Sequence, residues 1–247
     1  MVKLKQKNAI NGITEGVIWQ QILLYFFPIL LGSFFQYMYN TVDAVIVGKF
    51  VGTEALAAVG GPAGTLINLL LGFFSGLSSG GTVIIAQFYG SGDRNRVSNA
   101  VHTAIALSVA GGLVMMAIGI PFSRVALSLM NTPDDIIDLS ATYMRLCFAG
   151  ILPSLIYNIG TGILRAVGDS KRPLYYLIIC CFANIVFDLL FVVVLGMGVA
   201  GVAIATALAQ GISAVLIVIR LMRTEDSFRL VLSKVRFYGK KIGRAHV

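Results

Sequence analysis

The chain has 247 residues, of which 57% are hydrophobic and only 12% are charged, whereas a soluble domain usually carries about 25% charged residues. This composition excludes an ordinary soluble domain. The net charge of +8 could suit nucleic acid, but the Lys and Arg residues lie between apolar runs, so nucleic-acid binding is excluded as well. Three cysteines, Cys147, Cys180 and Cys181, lie inside apolar runs without metal-ligand spacing.

Six apolar runs follow one another along the chain, and each reaches the roughly 20 residues that a membrane-spanning helix requires. Short connections rich in Gly or polar residues separate the runs, and no soluble domain fits between them. The sequence therefore predicts an all-α, polytopic membrane protein with six transmembrane helices in the segment 17–222. The predicted spans are 17–47, 56–88, 97–122, 136–167, 175–195 and 199–222.

The basic residues of the connections predict how the spans are oriented. The N-terminal segment 1–16, the second and fourth connections and the segment after the sixth span are all rich in Lys and Arg. The opposite connections carry only Lys49 and Arg124, with Arg145 nearby. Because basic connections stay in the cytoplasm, we expect both ends of the six-span segment on the cytoplasmic side.

Two segments follow the last span. The polar, basic segment 223–241 is predicted to be either a cytoplasmic tail or a linker to a further part of the protein. Residues 242–247, IGRAHV, match the translation of a common sequencing-library adapter in one frame. We therefore expect them to be an artefact of a gene cut at the end of a contig, with a genuine short tail as the alternative. Reading the DNA beyond Lys241 distinguishes the two.

Polar side chains form one stripe on each of four otherwise apolar spans, at spacings that place them on one helical face. A charged side chain inside a membrane costs about 2.5–3.5 kcal/mol on insertion scales, so it usually faces a cavity or a partner. We expect the stripes to meet at a shared, partly hydrated cavity; alternatively, they only hydrogen-bond neighbouring helices. The stripes are Gln36, Asn40 and Asp43; Ser154, Asn158 and Thr161; Asn184 and Asp188; and Thr206, Gln210 and Ser213.

Aromatic and sulfur side chains flank the first stripe. Aromatic faces attract cations, and methionine adapts to irregular ligands. This region would therefore suit a binding site of low specificity for hydrophobic cations. Alternatively, these side chains only face lipid or its interface. The substrate cavity is predicted to include Gln36, Tyr37, Met38, Tyr39, Asn40 and Gln210.

Two glycine patterns call for interpretation. Residues 196–201 spell G-x-G-x-x-G, but the preceding apolar run is long enough for a spanning helix, so we predict a tight turn and not a dinucleotide site. Gly72, Gly76 and Gly80 form a small-residue ladder that predicts close helix packing. The sequence contains no nucleophile–base pair or metal cluster, so neither an enzyme nor a cofactor is expected.

Several segments together resemble the multidrug and toxic compound extrusion (MATE) family, and within it the bacterial exporters of the MepA-like branch. The segment YNTVDAVIVGKF at 39–50, followed by ALAAVG at 55–60, looks like the first-helix region of the family. RAVGDSKRP at 165–173 resembles its loop after helix four. NIVFD at 184–188 and GMGVAGVAIAT at 196–206 resemble its signature in helices five and six.

The resemblance implies twelve helices in two six-helix lobes, of which this chain would be the N-terminal half, with 223–241 as the cytoplasmic inter-lobe linker. It implies export of drugs and organic cations from the bacterial cytoplasmic membrane in exchange for H⁺ or Na⁺. The missing C-terminal lobe and the lipid bilayer are the implied partners. The residues implied in coupling are Asp43, Asp188, Asn184, Thr206 and, less directly, Asn158; the oxygens of the first four could hold Na⁺ instead of a proton.

Three alternatives stay open at this point. A lipid or polysaccharide flippase of related architecture would need a more cationic cavity than these acidic and amide-rich stripes provide. A non-transporting membrane scaffold would tolerate changes at Asp43 and Asp188. A half-sized transporter that dimerises would rebuild two lobes from two copies of this chain.

Overall fold

A computed structural model describes residues 17–236, and all regular structure in this range is helical. The segment 1–16, residues 237–241 of the expected linker and the suspected artefact at 242–247 lie outside the described residues. The helices are α1 Ile18–Phe50, α2 Thr53–Gly60, α3 Pro62–Gly90, α4 Arg94–Leu129, α5 Ile137–Ala149, α6 Ile151–Ala166, α7 Lys171–Asp188 with the π-helix Leu189–Val194, α8 Gly198–Arg223 and the 3₁₀ turn Leu232–Lys234.

The six-span prediction is confirmed. Five helical stretches are long and apolar enough to cross a membrane, with mean hydropathies between 1.5 and 2.8. The sixth crossing is formed by α5 and α6 together, which meet at Gly150 with a bend of 50°. The fourth span is therefore a broken helix, whereas the sequence predicted it as one continuous run.

Proline chemistry explains where the helices break. Pro153 lies in the first turn of α6, where its ring would clash with the carbonyl of Ala149 if α5 continued straight. Pro62 is the first residue of α3, a position that needs no backbone donor, and it separates α3 from α2. Pro28 and Pro121, by contrast, lie inside continuous helices.

Helix α8 lies at the centre of the six-span lobe and packs against α5, α6, α7 and α1. Helix α1 packs along α7, while α3 packs against α4, α5 and α6. The largest buried core joins α4, α6 and α8 through side chains such as Val101, Leu164, Ile217 and Leu221. Helices α1 and α3 pack against different helices. A cavity therefore remains between α1 and α3, and α8 lies on its far side.

The turn between the π-helix and α8 confirms the prediction for the G-x-G-x-x-G segment. Gly196 has φ 63° and Gly198 has φ 59°, a left-handed conformation that favours glycine. Gly201 lies one turn further on, where an added Cβ would lie 3.1 Å from Phe191 of the π-helix. These glycines allow a tight turn and close packing of α8 on the π-helix.

The glycine ladder of α3 does not pack within residues 17–236. Gly72, Gly76 and Gly80 are exposed, and a Cβ added at any of them would meet nothing within 4 Å. Helix α3 instead buries the face that carries Ser78 and Ile85. Close packing through the ladder is therefore not found in this lobe, and the prediction is wrong for the part of the chain described.

The segment after α8, residues 224–236, folds back onto the lobe. The backbone N–H of Leu230 donates to the carbonyl oxygen of Leu221 at 2.9 Å. The side chains of Phe228 and Leu230 are buried in the core of the lobe. This part of the segment is thus a packed element of the fold, which its polar composition did not reveal.

His102 of α4 anchors this segment from inside the lobe. Its ring is 1% exposed, and Nδ1 lies 2.6 Å from the carbonyl oxygen of Ser98, to which it donates. Nε2 accepts the backbone N–H of Val231 at 3.0 Å. Both ring nitrogens are therefore engaged, and the imidazole joins α4 to the segment that follows α8.

We expect His102→Ala to release the segment from the lobe. Leaving the half-buried N–H of Val231 without its acceptor costs about 1–3 kcal/mol, so cleavage by trypsin after Arg229 should accelerate by about tenfold or more. The matched control is Asn95→Ala, an exposed position on the same helix. Equal cleavage rates in wild type, His102→Ala and Asn95→Ala would contradict the anchoring role.

Candidate functional site

The cavity between α1 and α3 has a volume of about 170 Å³. Its wall combines apolar side chains with polar groups contributed by five helices of the lobe. The polar groups on the wall are Gln36, Asn40 and Asp43 of α1, Asn68 of α3, Tyr143 of α5, Ser154 of α6 and Thr206 of α8. Three predicted stripes therefore meet here, as the sequence led us to expect.

Two carboxyl groups lie together here: Asp43 lines the cavity, and Asp188 lies behind its wall. Asp43 comes from α1, and Asp188 is the last residue of α7, where the helix changes into the π-helix. Their carboxyl groups lie close enough to interact, and Asp43 also interacts with Thr206. Asp188 is fully buried, with no exposed surface. The fold thus brings together the two acidic residues that the sequence analysis selected, although they lie 145 positions apart in the chain.

The carboxyl pair has no cationic partner in the described residues. The three ion pairs within 17–236 join other residues. Oδ1 of Asp43 and both carboxyl oxygens of Asp188 are buried and accept no hydrogen bond from residues 17–236. Burying a carboxylate without a partner is costly, so the pair favours binding a proton or a small cation.

Amide and hydroxyl groups complete the cluster around the acids. Asn184, one turn before Asp188 on α7, donates from Nδ2 to Oγ1 of Thr206 at 3.4 Å. Asn184 is 1% exposed, and its Oδ1 accepts no hydrogen bond from the described residues. The cluster therefore presents carboxyl, amide and hydroxyl oxygens to one small space, which are ligands that hard cations accept.

Tyr39 and Gln210 lie deeper along the same side of the lobe. Both are buried, and their side chains lie beside each other between α1 and α8. Tyr39 also reaches the cavity wall, whereas Gln210 does not line it. Gln210 thus lies behind the cavity wall, whereas the sequence analysis predicted it on the surface that contacts the substrate.

Tyr37 and Met38 do not line this cavity. Tyr37 is 74% exposed and points away from the carboxyl pair. The reason is helical geometry, because residues that share the face of Asp43 are three, four or seven positions away from it. The prediction grouped consecutive residues around the stripe, and a helix can present only some of them to one cavity.

Asn158 is also separated from the carboxyl pair. Its side chain is exposed, and its Nδ2 donates to the carbonyl oxygen of Ser154 at 2.8 Å. It lines a small gap with Phe74 of α3 and Ser108 of α4 instead of the main cavity. Helices cross their neighbours at an angle, so one polar stripe can pass from the cavity at Ser154 to different helices one turn later.

Sequence reasoning missed two polar residues of the wall. Asn68 lies alone in the apolar run of the second span, and Tyr143 lies in the fourth span before the bend. An amide inside a long apolar run is itself a signal for an inward-facing position, and it could have indicated Asn68. Tyr143 carried no such signal, because tyrosine is common in spanning helices near the interface.

The site combines two carboxyl groups with amide and hydroxyl groups. Within residues 17–236, no three His, Cys, Asp or Glu side chains lie together in a way that could hold a metal ion. Cys147 lies on the cavity wall but is a free thiol, as are Cys180 and Cys181.

A six-span helical lobe with buried, unpaired carboxyl groups at a cavity in the membrane is typical of secondary transporters. Residues 28–190 match the family model MatE. The chain belongs to that family, the MATE transporters, and the resemblance seen in the sequence is confirmed.

Individual relatives agree with this membership. The chain is 33% identical over 200 residues to the probable multidrug resistance protein YpnP of Bacillus subtilis, covering 81% of this chain and 45% of that protein. It is 18% identical to the multidrug export protein MepA of Staphylococcus aureus, over 86% of this chain and 47% of that protein.

A solved structure shares the fold over nearly the whole chain. It is an outward-facing conformation of a multidrug resistance MATE family transporter, with a TM-score of 0.79 and 26% identity. The match covers 95% of this chain and 49% of the solved one. The chain thus spans about half the length of the relatives that it matches.

Proposed function

We propose that this chain is the N-terminal lobe of an exporter that moves drugs and other organic cations out of the cell in exchange for H⁺ or Na⁺. The multidrug names of its relatives support this substrate class. The observation that carries the coupling role is the buried pair of Asp43 and Asp188 without a cationic partner in the described residues. The partner of the lobe would be a second, C-terminal six-helix lobe.

The basic residues support an orientation for this lobe. Arg94 at the start of α4, Arg172 at the start of α7 and Arg223 at the end of α8 lie at one end of the helices, and Lys49 and Arg124 belong to the other. By the positive-inside rule, the first end is cytoplasmic. The protein then lies in the bacterial cytoplasmic membrane with its N-terminus inside, and the segment 223–241 connects the two lobes on that side.

The carboxyl pair would couple export of the organic cation to entry of H⁺ or Na⁺ by binding only one of the two at a time. On the outer side, binding of a proton or Na⁺ lowers the negative charge of the pair and weakens its attraction for an organic cation, which leaves. On the inner side, loss of the ion restores the negative charge, which attracts the next cation. The two ligands are then linked through their opposite preferences for the charge state of one site. The membrane potential contributes about 2.3 kcal/mol per charge per 100 mV.

The cavity argues against the alternative of a flippase. A lipid or polysaccharide flippase would have to hold phosphate or other anionic groups, which calls for Lys or Arg on the wall. The wall of the 170 Å³ cavity carries Asp43 and several amides, but no Lys, Arg or His among the described residues. A cationic substrate fits this charge distribution better.

The proposal is tested by transport. The genomic locus is read beyond Lys241, and the continued protein is expressed in cells without other multidrug exporters. We expect it to lower the accumulation of a fluorescent organic cation, and the effect should vanish when the H⁺ or the Na⁺ gradient is dissipated, which identifies the coupling ion. Normal insertion without export of any cationic dye would contradict the proposed function and favour the scaffold.

A further inference from the structure

The carboxyl cavity, the space of about 170 Å³ between α1 and α3 that Asp43 lines, has two sides of different polarity. The α1 side carries Asp43 and two amide side chains. The α3 side is lined by Ile67, Leu70 and Leu71, and Asn68 is the single polar side chain that this helix contributes. Asn68 therefore places an amide on the side of the cavity that faces the carboxyl group of Asp43.

The side-chain amide of Asn68 has no partner in the described part of the lobe. It forms no hydrogen bond with residues 17–236, whereas the amides of Asn158 and Asn184 each donate one. The residues beside it in the chain, Ile67 and Leu69, are apolar, so they supply no side-chain partner. An amide in apolar surroundings favours a ligand that offers a hydrogen-bonding group.

The size of the cavity limits which ligands reach both of its sides. A volume of about 170 Å³ is smaller than the roughly 300–1,000 Å³ of a typical site for a drug-sized molecule. A compact cation fills such a space, whereas most of a larger drug has to lie outside it. The amides of Gln36 and Asn40 share a helix face with Asp43 and lie beside the charge, but Asn68 meets the other end of a bound cation.

Aromatic side chains suit the charged end of such a ligand. Tyr39 and Tyr143 lie close enough to Asp43 to interact with it, and Phe148 adds a third ring to the cavity wall. Aromatic faces attract ammonium groups, so these rings and the carboxyl group together hold the positive charge. The uncharged end of the ligand is then directed to the α3 side, where Asn68 is the polar side chain.

We propose that Asn68 determines specificity by hydrogen-bonding a hydroxyl or carbonyl group of a compact organic cation whose charge lies at Asp43. A side-chain amide both donates and accepts, so it serves either group. The preferred substrates are then ammonium compounds that carry a hydroxyl or carbonyl group a few bonds from the charge. This inference rests on the proposed export of organic cations and names the chemistry that the same cavity selects.

Two cations that differ in one group test this assignment. Choline carries a hydroxyl group, and propyltrimethylammonium has a methyl group in its place at nearly equal size. Calorimetric titration measures how each binds to the purified protein, continued beyond Lys241, in detergent. The ratio of the choline affinity to the propyltrimethylammonium affinity should fall about three- to tenfold in Asn68→Leu, the usual contribution of one hydrogen bond. Binding of propyltrimethylammonium should not weaken, because it forms no hydrogen bond with the amide.

The matched control is Gln87→Leu, which removes an exposed amide of the same helix outside the cavity and should keep the wild-type ratio. Asn68→Ala gives the same comparison if Asn68→Leu fails to fold. A wild-type ratio in both Asn68 variants would overturn the role of Asn68 and leave the proposed export of cations standing. If their unfolding midpoints also fell, Asn68 would belong to a contact with the second lobe. Absence of binding by either cation to the wild-type protein would overturn the inference together with the proposed substrate class.

Discussion

Replacing Asp188 by asparagine should abolish ion-coupled export by the protein that contains this lobe, down to the level of cells without it. Asparagine keeps the size of the side chain, but it can neither exchange a proton nor supply a negative charge to the pair with Asp43. Because the amide removes a buried carboxyl without a partner, insertion and thermal stability should not decrease. Dye accumulation in whole cells and the unfolding midpoint of the purified protein measure the two effects.

The matched control is Asp138→Asn. Asp138 is 74% exposed in α5 and forms a surface ion pair with Arg124 at 2.6 Å. Such pairs contribute about 0–1 kcal/mol, so this variant should export normally. Export by Asp188→Asn at the wild-type rate would remove Asp188 from the coupling mechanism. Loss of export in both variants would indicate a general effect of altering acidic residues.

The second large effect is expected at Gly150, where the fourth span bends. A Cβ added there would overlap the Cβ of Ala207 on α8, and neither group can move without shifting a backbone. Its backbone angles, φ −91° and ψ 4°, are open to any residue, so the effect is purely steric. We expect Gly150→Ala to lower the free energy of unfolding by about 1–3 kcal/mol. Because Gly150 also lines the carboxyl cavity, export should fall too.

Gly76→Ala is the matched control for this prediction. Gly76 is exposed in α3, and an added Cβ would meet nothing within 4 Å. In a helix interior, alanine is favoured over glycine by about 1 kcal/mol, so this variant should be as stable as wild type or more stable. If Gly150→Ala were as stable as Gly76→Ala in detergent, the close contact between α6 and α8 would not constrain the bend.

The helical architecture could be predicted because a lipid bilayer permits few kinds of backbone structure. Backbone groups in lipid must be paired within one helix, so six apolar runs had to give six spans. Helical periodicity and the cost of burying charge predicted polar stripes that share a cavity, and the resemblance to the family then selected Asp43, Asn184, Asp188 and Thr206 from them. Both kinds of argument use only local sequence and the solvent.

The remaining features depend on contacts between distant segments, which periodicity does not contain. The bend at Gly150 could have been placed from Pro153, but Pro28 and Pro121 lie inside continuous helices, so a proline alone does not predict a break. The docking of residues 224–236 depends on His102, which lies more than a hundred positions earlier. Tyr37 was placed near the site by its sequence neighbours, and Asn158 by its polar stripe and the resemblance to the family. Helix rotation and helix crossing carry both away from the site.

The π-helix after Asp188 was also not predictable from its sequence. Leu189–Val194 has the sequence of an ordinary apolar helix, and its Phe191 lies close to Gly201 of α8. π-helical turns often occur at functional sites, and this one begins directly after the buried acid. It widens the helix next to Asp188 and so contributes to the place of the carboxyl group in the cluster.

Exchange of an ion at Asp43 and Asp188 is tested most directly by infrared difference spectroscopy of the purified chain. Spectra recorded across the physiological pH range should contain a band of protonated carboxyl groups. The band should disappear in the Asp43→Asn, Asp188→Asn double variant and persist in Asp138→Asn, and replacing K⁺ by Na⁺ should weaken it if Na⁺ competes for the site. A spectrum of the double variant identical to wild type in both salts would contradict the account.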